Sequence, residues 1–300
     1  MRRHDDWSTP SFDLEPTAPA VGPFPRRPFL SAVHRLESCK LEFVESGTAL
    51  LALCRSEDRL RFVGSPDLTD YHSPLGTGVA DLVEALATEV PSGTVFELDS
   101  LPLEAAKPVV AGLEAAGLAV ETVDDGVTAV LELPDDFGEY LRKIGKKQRH
   151  EVRRKKRRFE ETVGPVRLET HHGPGWAFDE FIRLHRLAPG AKGGFMTPDR
   201  EEFFRSLAAT PGWRIDLLRR GDRALACSFA FSDQEGIYLY NGSYDPDWAE
   251  ASPGVVLLTS LIEQSIAEGL RRFDFLKGDE EYKFRLGAEP RGLYRVRAVK

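Results

Sequence analysis

Apolar positions alternate with polar ones in short runs, and between these runs they switch to three-to-four spacing. Residues 41–43, 49–54 and 60–63 read as three short strands joined by Ser-Gly-Thr and Ser-Glu-Asp turns. The loop GSPDLTDYHSPLGTG follows at 64–78. Leu82, Val83 and Leu86 share one face of a helix over 79–90, and a strand comes next at 94–98. A helix over 104–116 stops at Gly117, where a left-handed residue ends helices without strain. Strands at 119–123 and 127–133 flank Asp125-Gly126, a hairpin pair. Pro134-Asp135-Asp136 then opens a long helix to about residue 161, with Leu141, Ile144, Val152 and Phe159 as a narrow apolar stripe.

The second half has the same style. A strand at 166–169 is followed by helices over Trp176–Leu187 and 200–208, around the loop APGAKGGFMTP. Strands at 213–219, 224–232 and 236–241 form a meander. A helix over 252–269, a strand at 272–276, a helical turn at 279–284 and a strand at 292–299 complete the chain. Both halves mix strands with a helix between parallel neighbours, which makes the expected class α/β with mixed sheets.

Three hundred residues suit about two domains. Six prolines and few core-forming residues make 1–28 a disordered lead. The expected division is then 29–134 as an N-terminal domain, 135–165 as a connecting helix and 166–300 as a C-terminal domain. Three scattered cysteines (Cys39, Cys54 and Cys227) argue against a disulfide framework and against a cysteine-based zinc site. The first residues lack the apolar stretch of a signal peptide, and no apolar run nears the ~20 residues of a membrane span. The expectation is a reduced, soluble, cytoplasmic protein.

Charge is unevenly spread. The chain carries −8, yet 142–158 holds eleven Lys/Arg against one Glu, so the remainder carries −18. An acidic body with one basic segment argues against a general nucleic-acid partner. Arg149, Arg153 and Arg154 on that segment are candidates for holding an anionic substrate.

The densest chemistry lies between Gly236 and Gly287. Ser252 fits a helix N-cap, Pro253 the first helical position, and Gly254 allows close approach to the backbone. Such a helix start favours an anion. Asp274 stands in an apolar strand beside Phe273 and Phe275, and a carboxylate there must be paired or belong to a site. Lys277, Glu280, Glu281, Tyr282 and Lys283 crowd the end of that strand, where open α/β sheets place ligands. No GxSxG, P-loop, dinucleotide or HExxH motif is present, and the neighbours His171-His172 point to opposite faces of a strand.

The stretch YNGSYDPDW, then SPG at a helix start, then EGLRRFDFLKGDEEYKFRLG, resembles the GNAT-like acyltransferases of the CelD/BcsL type. These are similar in turn to the Fem-type aminoacyl transferases. The basic KKQRHEVRRKKRR and the loop GSPDLTDYHSPL add to the likeness, which covers roughly 30–300. The resemblance implies tandem GNAT-like (acyl-CoA N-acyltransferase) domains, the second holding the donor. It implies acetyl-CoA or another acyl-CoA as donor, no metal, and an amine acceptor on a small molecule, saccharide or cell-envelope precursor. Tyr240 and Asn241 would lie on the strand before the donor helix. With Ser252, Pro253, Gly254 and Val255 they would bind the cofactor. Asp274 and Tyr282 would be base and acid, and Arg149, Arg153 and Lys283 would meet the substrate. The usual pyrophosphate loop is replaced by Glu250-Ala251-Ser252-Pro253-Gly254. The alternative is therefore a transferase using a tRNA-linked aminoacyl donor, or a tRNA-binding protein.

Overall fold

In the computed structural model, which describes residues 1–8 and 10–300, the alternating runs become strands and the three-to-four-spaced runs helices. The first elements are β1 (Arg2–His4), α1 (Arg27–His34), β2 (Lys40–Glu45), β3 (Ala49–Ser56), β4 (Arg59–Phe62), β5 (Leu75–Gly76), α2 (Val79–Glu89), β6 (Val95–Pro102), α3 (Leu103–Ala115) and β7 (Val120–Glu132). Next come α4 (Phe137–Lys143), α5 (Gly145–Val163), β8 (Arg167–His171), α6 (Trp176–Leu187), α7 (Ala191–Phe195), α8 (Pro198–Ala208), β9 (Trp213–Arg220), β10 (Arg223–Ser232) and β11 (Gly236–Tyr244). A 3-10 turn (Pro246–Ala251) leads to α9 (Pro253–Ala267), β12 (Arg272–Lys277), α10 (Glu281–Arg285) and β13 (Glu289–Val299). The chain divides into two units, 1–128 with 291–300, and 129–290. The mixed α/β class expected from the sequence holds in both.

Each unit repeats one plan. In the first, β2, β3 and β4 form an antiparallel meander, and α2 carries the chain to β6, which lies parallel to β4. In the second, β9, β10 and β11 form the meander, and α9 carries the chain to β12, parallel to β11. A helix between parallel neighbours is how a strand re-enters its own sheet. The last strand, β13, pairs with β6 of the first unit, so the second unit ends before the chain does.

The structure corrects four expectations. The described residues of 1–28 are packed, not a disordered lead: β1 pairs with β2, and Ala18, Val21 and Phe24 are buried. Arg291 fixes this segment by donating to the carbonyls of Pro19 and Ala20 at 3.0 and 2.8 Å. The Asp125-Gly126 pair does not turn the chain, and β7 runs through it. The Asp125 carboxylate accepts from Ser100 N at 2.8 Å and Arg295 at 2.6 Å, and these partners hold it inside the strand. The basic helix is broken at Gly145, whose φ of 79° belongs to glycine, giving α4 and α5. Both helices belong to the second unit and do not form a separate connector. Finally, Cys39 and Cys54 are joined by a disulfide, while Cys227 is free and buried.

The second unit buries α9 and α5 on one face of its sheet. Val256, Leu257, Leu261, Ile262 and Ile266 of α9 meet Val152 and Phe159 of α5 over Ile237, Leu239, Phe273 and Phe275. Strand alternation sends Tyr238 and Tyr240 to the other face. There Phe178 and Phe181 of α6 and Phe204 of α8 pack around Phe229 of β10. Only three residues of the 19-residue α5 are buried, namely Val152, Phe159 and Val163. This small apolar stripe anchors an otherwise cationic helix. Replacing the fully buried Phe159 with Ala should therefore cost about 3–5 kcal/mol in urea unfolding, while Arg157→Ala on the exposed face should cost under about 0.5. A Phe159→Ala loss below about 1 kcal/mol would show that α5 is not part of this core.

Candidate functional site

The second unit contains a cleft of about 630 Å³. One wall is α5, with Lys146, Lys147, Gln148, His150, Glu151, Val152 and Lys155. The other comprises Val255 at the start of α9 and Tyr282, Arg285 and Leu286 at α10. Three lysines and an arginine against one glutamate make it cationic. The candidate arginines do not line it. Arg153 is exposed, Arg149 lies outside the lining, and the Arg154 guanidinium is bonded to Glu151 at 2.7 Å. Helical spacing puts Lys147, Glu151 and Lys155 on the cleft face and turns Arg149 and Arg153 away from it.

Beside the cleft, β11 and β12 part. Their ladder covers only Gly236–Arg272, Ile237–Phe273 and Tyr238–Asp274, though β11 continues to Tyr244 and β12 to Lys277. Two local features cause this. A bulge lies in β11, where Leu239 pairs with Ala230 and Asn241 with Phe229, leaving Tyr240 as the extra residue. On β12, Leu276 takes a φ of 60°, which turns the strand end. The Asp274 carboxylate stabilises that turn by accepting the Leu276 N–H at 2.8 Å.

Lys283 closes the same turn. Its buried ammonium donates to the carbonyls of Leu276 at 3.2 Å, Lys277 at 2.8 Å and Gly278 at 3.3 Å, and pairs with Glu280 at 2.9 Å. An ammonium has three protons, and these are used. Lys283 holds the backbone and is not offered to a substrate.

Asp274 and Tyr282 are not brought together. Asp274 is wholly buried on the face that carries Tyr238, whereas the Tyr282 ring meets Phe275, on the opposite face, at 6.4 Å. Tyr282 opens to the cleft with 41% of its surface exposed. Burial of the rest of the ring, with the Glu280 carboxylate nearby, pushes its phenol up to about 12. It therefore keeps its proton at neutral pH.

The start of α9 differs in detail from the sequence reading. Pro253 is the first helical residue, but the Ser252 hydroxyl makes no cap. Ser252 sits at φ 59°, and its carbonyl accepts from Val255 and Val256 at 3.1 and 3.2 Å. With Pro253 lacking an N–H, Gly254 is the remaining donor of the first turn. A Cβ at Gly254 would come no closer than 3.4 Å, to the Tyr244 ring.

The sequence reading missed His185 on α6. It is 1% exposed, and its Nε2 lies 2.8 Å from the Asn241 Oδ1. The Gly242 N–H also donates to that oxygen, at 2.8 Å. Two bonds to Oδ1 require Nε2 to carry the ring proton and turn the Asn241 amide NH₂ away from both. Nδ1 has no hydrogen-bond partner. Burial is the largest cause lowering the ring's pKa to about 4, so the imidazole is neutral. A histidine in a helix's last turn, spatially opposite an Asn 56 residues later, leaves no pattern in the sequence.

Residues 146–284, all within the second unit, match the family model described as Acetyltransferase (GNAT) domain. No curated protein matches the chain significantly. Several solved structures share its fold. A conserved protein of unknown function from Bacteroides thetaiotaomicron has a TM-score of 0.61 at 14% identity, over 90% of this chain and 89% of that one. FemX gives 0.58 at 11% identity, over 89% and 90%. L-PGS from Bacillus licheniformis gives 0.57 at 14% identity, over 97% and 94%. Among the described residues, no helix is long and apolar enough to cross a membrane.

The neutral His185 makes stability depend on pH. Its folded pKa of about 4 lies below the ordinary 6.5, so the unfolded chain takes the proton first as pH falls. The stability is fully present above pH 6.5 and is lost on acidification toward pH 4, by about 3 kcal/mol. Urea unfolding between pH 7.5 and 5 should show this decline in the wild type and a flatter profile in His185→Gln. Identical slopes would contradict a buried neutral imidazole.

Proposed function

We propose that the chain is an N-acyltransferase that moves an acyl group from a CoA thioester to an amine. The observation that carries this reading is the parting of β11 from β12 beside the start of α9, opening onto a cationic cleft. In this reading the donor's thioester carbonyl approaches β11 beyond Tyr238, where its ladder with β12 has ended. The Gly254 N–H and the α9 dipole favour the donor's pyrophosphate, and Lys147 and Lys155 add charge on the facing wall. The Asn241 amide NH₂, fixed by His185, is a further donor for the acyl oxygen. In this reading Tyr282, which lines the cleft, protonates the leaving thiolate. The amine nitrogen forms the new C–N bond, the C–S bond breaks, and the amine proton passes to solvent or a base. This reading gives Asp274 the part of holding the Leu276 turn rather than that of the base. The acceptor in this reading is a small-molecule, saccharide or cell-envelope amine.

A second reading keeps the chemistry and changes the donor to a tRNA-linked aminoacyl ester. The exposed cations Lys146, Lys147, Arg153 and Lys156 to Arg158 on α5 favour it, because they suit a polyphosphate longer than one pyrophosphate. FemX and L-PGS share the fold, and their low identity carries no more than the fold.

Titration calorimetry with acetyl-CoA separates the two. The first reading expects binding that weakens at least about tenfold in Gly254→Val, whose branched side chain blocks the first turn, and in Lys147→Gln/Lys155→Gln. Tyr282→Phe should bind the donor normally and lower kcat by a factor of order 10²–10⁴. No acetyl-CoA binding, together with tight, salt-dependent binding of aminoacyl-tRNA, would replace the first reading with the second.

A further inference from the structure

The first unit holds a cluster that acyl transfer does not use. His34 ends α1, Cys39 follows shortly after, and Cys54 lies on β3. A ring nitrogen of His34 and both sulfurs lie within 4.8 Å of one another. Glu37 stands beside the two sulfurs, though outside that group of three, with its Oε2 3.3 Å from Cys54 Sγ and 3.8 Å from Cys39 Sγ. The Glu37 side chain is only 7% exposed, and its other oxygen accepts from Arg61 on β4 at 3.0 Å.

The disulfide leaves this carboxylate poorly matched. A disulfide sulfur carries no proton, so a buried Oε2 aimed at two such sulfurs meets lone pairs and no donor. Reduction changes the chemistry. Two thiolates, an imidazole and a carboxylate are all zinc ligands. Zinc bonds of about 2.0–2.3 Å, at tetrahedral angles, separate ligand atoms by roughly 3.3–3.8 Å. The two oxygen-to-sulfur distances already fall there. Arg61 then holds the outer carboxylate oxygen, as partners of metal ligands do. Charge also closes: Zn²⁺ with two thiolates and Glu37 carries −1, and Arg61 supplies +1.

We propose that reduced Cys39 and Cys54, with His34 and Glu37, bind zinc, and that the disulfide is the oxidised, metal-free form of this site. A dithiol opens the S–S bond by giving two electrons and two protons and closing to its own disulfide; a phosphine gives the two electrons and becomes its oxide, while water supplies the oxygen and the two protons. Each thiol then loses its proton to become a ligand, so zinc entry releases two protons. A disulfide-forming oxidant takes two electrons from the thiolates, re-forms the S–S bond and expels the metal. The site ties the end of α1 to β3 and β4 in either state. The cysteine count argued against such a site because it considered cysteines alone, whereas two ligands here are His and Glu.

The test uses the full chain, freed of metal, reduced with a phosphine and titrated with Co²⁺ as the probe. One equivalent should bind, with thiolate-to-cobalt absorption in the near ultraviolet and tetrahedral bands in the visible, and Zn²⁺ should displace it. Diamide should abolish the bands and remove two titratable thiols. Glu37→Gln and His34→Gln should each weaken Co²⁺ binding at least about tenfold. Both variants should still form the Cys39–Cys54 disulfide on oxidation, which verifies their fold. A reduced wild-type chain with both thiols titratable that binds no Co²⁺, or binding unchanged in both variants, overturns the proposal.

Discussion

The candidate site depends on the turn at the end of β12. Left to itself, a parallel strand would continue pairing with β11. Here Leu276 adopts a left-handed backbone that a branched aliphatic residue avoids, at a cost of order 1–3 kcal/mol. Two charged side chains offset that cost. Asp274 accepts the Leu276 N–H, and Lys283 gathers the carbonyls of Leu276, Lys277 and Gly278. Both side chains are buried, and backbone groups, with Glu280 beside Lys283, compensate for that burial. The turn ends the β11–β12 ladder and brings α10, with Tyr282, to the cleft.

Much of the fold was legible because it rests on local pattern. The two meanders, the helix between parallel strands in each half, and the Pro253 start of α9 follow from alternation, helical spacing and turn residues. What failed was decided by distant partners. Asp125-Gly126 looks like a hairpin turn until Ser100 and Arg295 bind the carboxylate. The proline-rich start looks disordered until Arg291, near the other end of the chain, binds its carbonyls. No local window contains both members of either pair.

The site was less legible for a related reason. Asp274 and Lys283 stood out as charges near a strand end, and that density is real, but the structure turns them inward onto backbone groups. Tyr282 opens to the cleft. The basic stretch was conspicuous, yet only its helical phase decides which cations reach the cleft, and the break at Gly145 resets that phase. His185 was silent in sequence because its partner, the Asn241 amide, lies 56 residues further along the chain.

Hydrogen–deuterium exchange of the full chain with and without acetyl-CoA tests the central claim most directly. The account predicts added protection at 253–256, along 239–244 and over the cleft face of 146–155. Protection absent from 239–244 and 253–256, with or without change elsewhere on α5, would contradict a donor seated where β11 parts from β12.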